Sequence, residues 1–194
     1  MAMSRETHDK IRSLQRKLSR KAKADPAFRV YIIYDKICRA YILLHAYALA
    51  RDNAGAPGVD GMTFGRIEAA GVEVWLAGLR EDLVSKTYQP DPVRRVMIPK
   101  PGGGERPLGI PTIRDRVVQA AAKIVLEPIF EADFEDGAYG YRPRRSAIGA
   151  VKGAPRRLDP GYTQRGAPSL SEYFDSIHHA ALPHTAARHV APPP

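Results

Sequence analysis

Basic side chains flank a glycine run between residues 94 and 106, and they are the clearest candidates for chemistry in this sequence. Lys100 precedes the run 102–104 and Arg106 follows it, with Arg94 and Arg95 upstream. Ammonium and guanidinium groups bind phosphate oxygens through charge-assisted hydrogen bonds. On spacing alone, the simpler alternative of solvated basic residues is preferred, because the run lacks the Gly-Lys-Ser/Thr ending of a nucleotide-binding loop.

The pattern around the glycines predicts a β-hairpin over residues 93–111. Apolar side chains recur at every second position, with Val96 and Ile98 before the glycines and Leu108 and Ile110 after them. Period-two alternation on both sides of a glycine-rich turn is typical of a hairpin. Prolines at 99, 107 and 111 cannot donate ladder hydrogen bonds, so both strands should be edge strands. The glycines should give the tip positive φ angles and room for a phosphate or another backbone.

Helical periodicity predicts the elements that carry this hairpin. Helices are expected over residues 4–24, 27–51, 62–70, 72–86 and 112–128. Thr63 is a candidate N-cap, and Thr112 with Asp115 has the form of a capping box. Val118, Ala121, Ala122 and Val125 should form the core side of the last helix, and Pro128 should kink or end it. The class is therefore α+β.

Charge and composition restrict the partners. The 194 residues carry a net charge of +9, which favours a polyanionic partner such as nucleic acid. Cys38 is the single cysteine, so a disulfide within the chain is excluded and a reducing compartment, the cytoplasm, is expected. The most apolar stretch, 31–50, contains charged residues, so no membrane segment is expected.

A second basic segment, 137–146, interleaves arginines with aromatic residues. Tyr139, Tyr141, Arg142, Arg144 and Arg145 lie within seven positions. This combination suits phosphate contact with base stacking, and a polar loop is the alternative. Acidic residues cluster just before it, where a solvated helix end is preferred to a divalent-cation site: Glu127, Glu131, Asp133, Glu135 and Asp136.

The C-terminal region differs in character. Residues 152–168 are rich in glycine, proline and arginine, whereas 170–177 again has an ordered pattern. The alanine-, histidine- and proline-rich tail, 182–194, is expected to be disordered.

Read in order, the segments resemble a group II intron-encoded reverse transcriptase, or maturase. They are NAGAPGVDG, YQPDPVRRVMIPKPGGGERPLGIPTIRDRVVQ, LEPIFEADFEDGAYGYRPRRSA and LSEYFDSIHHAAL. The resemblance implies a basic helical N-terminal extension at 1–50, a fingers-like region at 51–150 and a degenerate, truncated start of the palm at 151–194. The fold would be an incomplete right hand. RNA, either intron or template, would be the partner, with DNA as a further candidate.

The resemblance also implies roles for single residues. Lys100 and Arg106 would contact the triphosphate of the incoming nucleotide, and Phe174 would sense the sugar 2′-hydroxyl. The remaining implied contacts are to RNA: Arg94, Arg95, Tyr139, Arg142, Arg144 and Arg145.

One departure from the family bears on catalysis. Ser169 stands where the family has an aspartate that binds catalytic metal, and the later Tyr-x-Asp-Asp motif does not occur. Two-metal phosphoryl transfer needs such carboxylates. We therefore expect this chain to lack the family's Mg²⁺ and not to polymerise alone. The alternatives are a non-catalytic RNA-binding module and a non-functional remnant, for instance of a frame-shifted reading frame.

Overall fold

A computed structural model describes residues 5–25, 29–31, 33–158 and 176–190. These residues combine helices with one small antiparallel sheet, which confirms a mixed, α+β arrangement. The helices are α1 (Arg5–Ala24), α2 (Ile33–Ile37), α3 (Ala40–Asp52), α4 (Phe64–Ala70), α5 (Val72–Val84), α6 (Ile113–Phe130), α7 (Ala147–Leu158) and α8 (Ala181–Ala186), and the strands are β1 (Arg94–Pro99) and β2 (Glu105–Ile110).

Helix α1 confirms the first predicted helix, and it is basic and amphipathic. Ile11, Leu18 and Ala22 are buried, while Leu14 is half-buried. A single apolar stripe of this kind lets the opposite face remain solvated. The exposed cations on that face include Arg12, Arg16, Lys17, Arg20 and Lys23.

The prediction of one helix over 27–51 is wrong, because the chain breaks between α2 and α3. Arg39 is extended, with φ −69° and ψ 132°. The break frees the carbonyl of buried Cys38, which accepts a hydrogen bond from Arg80 Nε at 3.1 Å. It also shifts the helical phase, so Ala40 is exposed and Ile42 is fully buried.

Helix α6 has its N-terminus as predicted but a different C-terminus. It continues through Pro128 to Phe130. A proline lacks the N–H that would bond the carbonyl four residues earlier. Here that carbonyl, Ile124 O, accepts from Gln15 Nε2 of α1 at 3.2 Å. This side-chain donor explains why the helix tolerates a proline in its last turn.

The buried side of α6 also differs in part from the prediction. Ala121 and Val125 are fully buried as expected. Val118 and Ala122 are only half-buried, and Val117 takes the central place with no exposed surface. The periodicity predicted the correct helix, but the buried face of that helix includes Val117 in place of Val118 and Ala122.

The short helices α4 and α5 confirm their predictions. Thr63 caps α4, since its side chain accepts a hydrogen bond from Arg66 N at 3.3 Å. In α5, Leu79 and Leu83 are buried on one face. Between α3 and α4, residues 54–63 lack regular structure, as expected from their glycines and prolines.

The described residues form two compact units. The first contains residues from 5–18 and 33–128, and the second contains residues from 19–31 and 129–190. The sequence-based boundaries near residues 50 and 150 remain predictions. Among the described residues, each helix is too short or too polar to traverse a lipid bilayer.

In the second unit, part of the tail is ordered, contrary to the expected disorder. Residues 181–186 form α8. Val190 pairs with Val30 in a parallel bridge, and Val30 N–H donates to His189 O at 2.8 Å. His189 lies 3.0 Å from an Asp133 carboxylate oxygen and 5.1 Å, between ring centroids, from Phe130. These contacts, distant in sequence, order a segment whose composition alone predicts disorder.

Candidate nucleic-acid interface

The hairpin predicted over 93–111 is present as strands β1 and β2. Their register pairs Arg94 with Ile110, Val96 with Leu108 and Ile98 with Arg106. Directly paired residues share a face of the sheet, and so do residues at every second position of a strand. Arg94 therefore lies on the same side as Ile98 and its partner Arg106. Arg95 lies on the other side, so the structure divides cations that the sequence grouped together.

The glycines at the hairpin tip act through backbone conformation. Gly103 N–H donates to Lys100 O at 3.1 Å, and Lys100 N–H donates to Gly104 O at 2.9 Å. Gly103 and Gly104 have φ of 90° and 78°, which L-residues rarely adopt. A Cβ on Gly102, Gly103 or Gly104 would meet no atom within 4 Å. The tip therefore has open space around these three glycines.

The cations of the hairpin are available for a partner. Arg95, Lys100 and Arg106 are exposed. Within the described parts of the chain, none of them lies in an ion pair with a carboxylate. Arg94 is half-buried, and its Nε has no hydrogen-bond partner there. The arrangement can attract phosphate groups without first breaking internal ion pairs.

The base of the hairpin is held by one buried carboxylate, Asp115, which is 3% exposed. Its two oxygens accept hydrogen bonds from Tyr88 Oη at 2.5 Å, Asp91 N at 3.2 Å and Thr112 Oγ1 at 2.8 Å. Tyr88 and Asp91 precede β1, and Thr112 follows β2. Burial, the hydrogen bond and the charge of Asp115 together raise the pKa of Tyr88 well above its ordinary value.

Thr112 and Asp115 form part of the predicted capping box. Asp115 N–H donates to Thr112 Oγ1 at 3.2 Å. The carboxylate of Asp115 accepts one hydrogen bond from the Thr112 hydroxyl and another from the Asp91 N–H in the segment before β1. The motif therefore starts α6 and also fixes both ends of the hairpin.

The loop between α3 and α4 packs against the exit of the hairpin. Arg116 donates from Nε to Pro111 O at 3.1 Å and from its Nη2 to Ala56 O. Gly58 is buried, and a Cβ there would lie 2.7 Å from Thr112 Cα. Glycine is thus required at this position for close backbone approach.

In the second unit, Arg142 has a structural role that differs from the predicted RNA contact. Its side chain is only 6% exposed. Nε lies 3.1 Å from both carboxylate oxygens of Glu131, and Nη1 donates to Glu135 O and Ala138 O at 2.6 and 2.8 Å. The hydrogen bonds from Arg142 lower the pKa of Glu131. These internal contacts occupy Nε and Nη1, and the RNA contact of Arg142 stays a prediction.

Tyr139 and Arg145 contact each other. The Arg145 guanidinium carbon lies 5.2 Å from the centroid of the Tyr139 ring, and Arg145 Nη2 lies 3.6 Å from an Asp136 oxygen. Arg144, by contrast, is exposed. Of the residues predicted to bind RNA in this segment, Arg144 presents its side chain to solvent most directly.

The acidic residues near the end of α6 do not form a cation site. Glu131 and Asp136 face Arg142 and Arg145, and Asp133 faces His189. Among the described residues, no group of three or more histidine, cysteine or acidic side chains is arranged to hold a metal ion. The expectation that the chain lacks the family's Mg²⁺ stays a prediction. The predictions for Ser169 and Phe174 lie outside the described residues.

Comparison with known proteins shows the ancestry of this arrangement. Over 103 residues, 53% of the chain, it is 41% identical to the group II intron-encoded protein LtrA of Lactococcus lactis. This chain is homologous to group II intron-encoded proteins. A 91 kDa protein in the cob intron of Schizosaccharomyces pombe is 32% identical over 141 residues, or 73% of the chain.

The most extensive match among these is to the protein YkfC of Escherichia coli, which is 40% identical over 187 residues and covers 93% of the chain. Only 7% of the chain lies outside this match. Residues 151–194 make up more than 7% of the chain, so the match extends into that segment. The chain spans 49% of YkfC and 17% of LtrA. No protein-family model matches the chain.

Proposed function

We propose that this group II intron-related chain binds RNA, and that its hairpin acts as the fingers element of a reverse transcriptase or maturase. The supporting observation is the exposed hairpin itself, whose cations lack ion pairs with the described carboxylates and whose base is fixed by Asp115. Cations on a rigid support lose little freedom when a phosphate binds. RNA from the intron or a template is the proposed partner, with DNA as a further candidate.

Within the hairpin, we assign different contacts to the two ends. Lys100 and Arg106 adjoin the tip and would bind the triphosphate of a nucleotide or consecutive RNA phosphates. Arg94 and Arg95 are at the other end of β1, on opposite faces, and would contact the RNA backbone. Arg144 in the second unit would add a further phosphate contact.

Polymerisation by this chain alone is not part of the proposal. Ser169 occupies the position of the expected metal-binding aspartate, and a hydroxyl does not supply the charge that two-metal catalysis requires. A non-catalytic RNA-binding module is therefore the form of the proposal that we favour, with a non-functional remnant as the alternative. Mg²⁺-dependent primer extension by the purified protein would contradict this part of the proposal.

The test is RNA binding by the purified chain across a salt series, using an intron RNA and an unrelated RNA of equal length. Phosphate contacts release counterions, so affinity should fall steeply with salt. Replacing Lys100 and Arg106 by alanine should flatten the slope of log K against log salt by about 1.4, from about 0.7 per contact on single strands. A nucleoside triphosphate should also bind more weakly to this variant.

A matched control removes the same charge elsewhere. Arg66 on α4 and Lys152 on α7 are exposed cations outside the hairpin. Their double alanine variant should keep a slope closer to that of the wild-type chain. Equal losses in both double variants would show that net charge alone binds RNA, and the hairpin would then have no special role. Wild-type binding without dependence on salt would overturn the proposal as a whole.

A further inference from the structure

The loop 139–145 holds two residues outward around a fixed arginine. Arg142 is bound to Glu131, Glu135 and Ala138 within the second unit. Tyr141, directly before it, is 97% exposed, and Arg144, two residues after it, is also exposed. A large aromatic side chain left so fully in water is unusual, because burial of its ring would be favourable.

The backbone at these two positions explains the outward display. Tyr141 and Arg144 have φ of 56° and 62°. L-residues rarely adopt this left-handed region, and they remain in it only where their surroundings fix it. Anchoring by Arg142 supplies that constraint. Such strained residues cluster at binding sites, so the observed conformation motivates a search for a ligand.

The chemistry of the pair favours an unpaired nucleotide. A tyrosine ring provides a face on which a base can stack, and an adjacent guanidinium can bind the phosphate beside that base. The described residues place no ion-pair partner on Arg144 and no hydrogen-bond partner on the Tyr141 hydroxyl. A purely apolar protein partner would leave the Arg144 charge without compensation.

We propose that Tyr141 stacks on an unpaired base of bound RNA and that Arg144 contacts the adjoining phosphate, with Arg142 as the positioning residue. This inference rests on the proposed function, because it assigns to RNA a second contact on the same chain. It selects single strands, since the bases of a duplex are stacked on one another and present no free face to the ring.

The experiment compares Tyr141→Ala and Tyr141→Phe in binding to an oligouridylate and to an RNA duplex of equal length. Alanine should weaken binding to the single strand by roughly 5- to 100-fold, and phenylalanine should retain most of the affinity. Neither variant should change binding to the duplex. Because Tyr141 is almost fully exposed, both variants should retain the wild-type circular dichroism spectrum.

A second measurement reports stacking directly. Tyr141→Trp adds a reporter to a chain that contains one other tryptophan, and its fluorescence should be quenched by the oligouridylate and not by the duplex. Tyr31→Trp, at a position that is 62% exposed and precedes α2, serves as the control and should respond less.

The possible failures can be distinguished. If Tyr141→Ala binds the single strand like the wild-type chain while the Lys100 and Arg106 variant is weakened, the stacking inference is overturned and the proposed function stands. Equal loss on single strand and duplex, or a phenylalanine variant as weak as alanine, would also overturn stacking. If the wild-type chain binds no RNA, both proposals fail.

Discussion

Replacing Tyr88 by phenylalanine tests whether the hairpin is held at its base. The substitution removes one hydroxyl group and leaves the ring, over which the Arg114 guanidinium carbon lies 5.2 Å from the centroid. The lost interaction is the 2.5 Å hydrogen bond from Tyr88 Oη to Asp115 Oδ1. Asp115 keeps its bonds from Asp91 N and Thr112 Oγ1, so the carboxylate is not left without partners.

The expected size follows from the charge of the acceptor. Hydrogen bonds to charged groups contribute about 1.5–3 kcal/mol, and the retained partners of Asp115 favour a loss near the lower end, about 1.5 kcal/mol. For a chain of this length, that corresponds to a decrease in Tm of about 3–6 °C. Asp115→Ala should cost more, roughly 3–5 kcal/mol, because the hydroxyl of fully buried Thr112 loses its acceptor as well.

Amide hydrogen exchange shows where the stability is lost. If Asp115 fixes both ends of the hairpin, Tyr88→Phe should accelerate exchange in β1 and β2 together, with little change in α3 or α5. A local opening of this kind lowers protection in one cooperative segment without unfolding the rest of the unit.

Tyr34→Phe is the matched control. It also removes one tyrosine hydroxyl, which donates to Leu83 O at 2.7 Å, but its acceptor is neutral and belongs to α5. It should cost about 1 kcal/mol and leave exchange in the hairpin unchanged. The reasoning is refuted if Tyr88→Phe affects the strands no more than Tyr34→Phe does.

Two further predictions concern Gly58, which lies close to the Thr112 backbone, and the imidazole of His45. Gly58→Ala should destabilise the chain by about 1–3 kcal/mol, because its Cβ would meet the Thr112 backbone, whereas Gly78→Ala in α5, with no atom within 4 Å, should stabilise it by about 0.5–1 kcal/mol in thermal melts. Burial lowers the pKa of His45, so the unfolded chain binds more protons below about pH 6.5 and stability should fall as pH decreases. His45→Gln should lose less Tm than the wild-type chain between about pH 7.5 and 5.5. Equal losses in the two proteins would contradict a role for His45.

The hairpin shows how local patterns predict local structure. The two strands pair antiparallel with Val96 opposite Leu108, and the glycine tip is closed by hydrogen bonds between Lys100, Gly103 and Gly104. Thr63 as the cap of α4 is another local feature, since its bond reaches only three residues ahead. Such elements depend on few distant contacts, and the sequence predicts them well.

The break between α2 and α3 shows where such patterns fail. Residues 27–51 have the periodicity of one helix and contain no proline or glycine that would end it. The Cys38 carbonyl is satisfied by Arg80, which lies on α5. Similarly, Gln15 on α1 satisfies the Ile124 carbonyl that Pro128 leaves free. Both contacts join residues far apart in sequence, and no local rule reveals them.

For the candidate site, the sequence named the cations but not the contacts that surround them. The sequence marked Lys100, Arg106 and Arg144 as cations, and they are exposed. It also marked Arg142, whose partners are internal. Asp115 was recognised as a capping residue, but its bonds to the segment before β1 had no sequence signal beyond the Thr112 motif.

By itself, the sequence determined the charge of this protein, the hairpin with its glycine tip, the helix caps and the relation to group II intron-encoded proteins. These properties follow from composition, local hydrogen bonding and ordered motifs. Only the tertiary structure decided which cations are exposed and which are used internally, because that choice depends on where carboxylates and carbonyls from distant segments come to lie. Arg142 and Arg144 have the same side chain and lie two residues apart, yet Glu131 and the carbonyls near it bind the first, whereas the second is exposed to solvent.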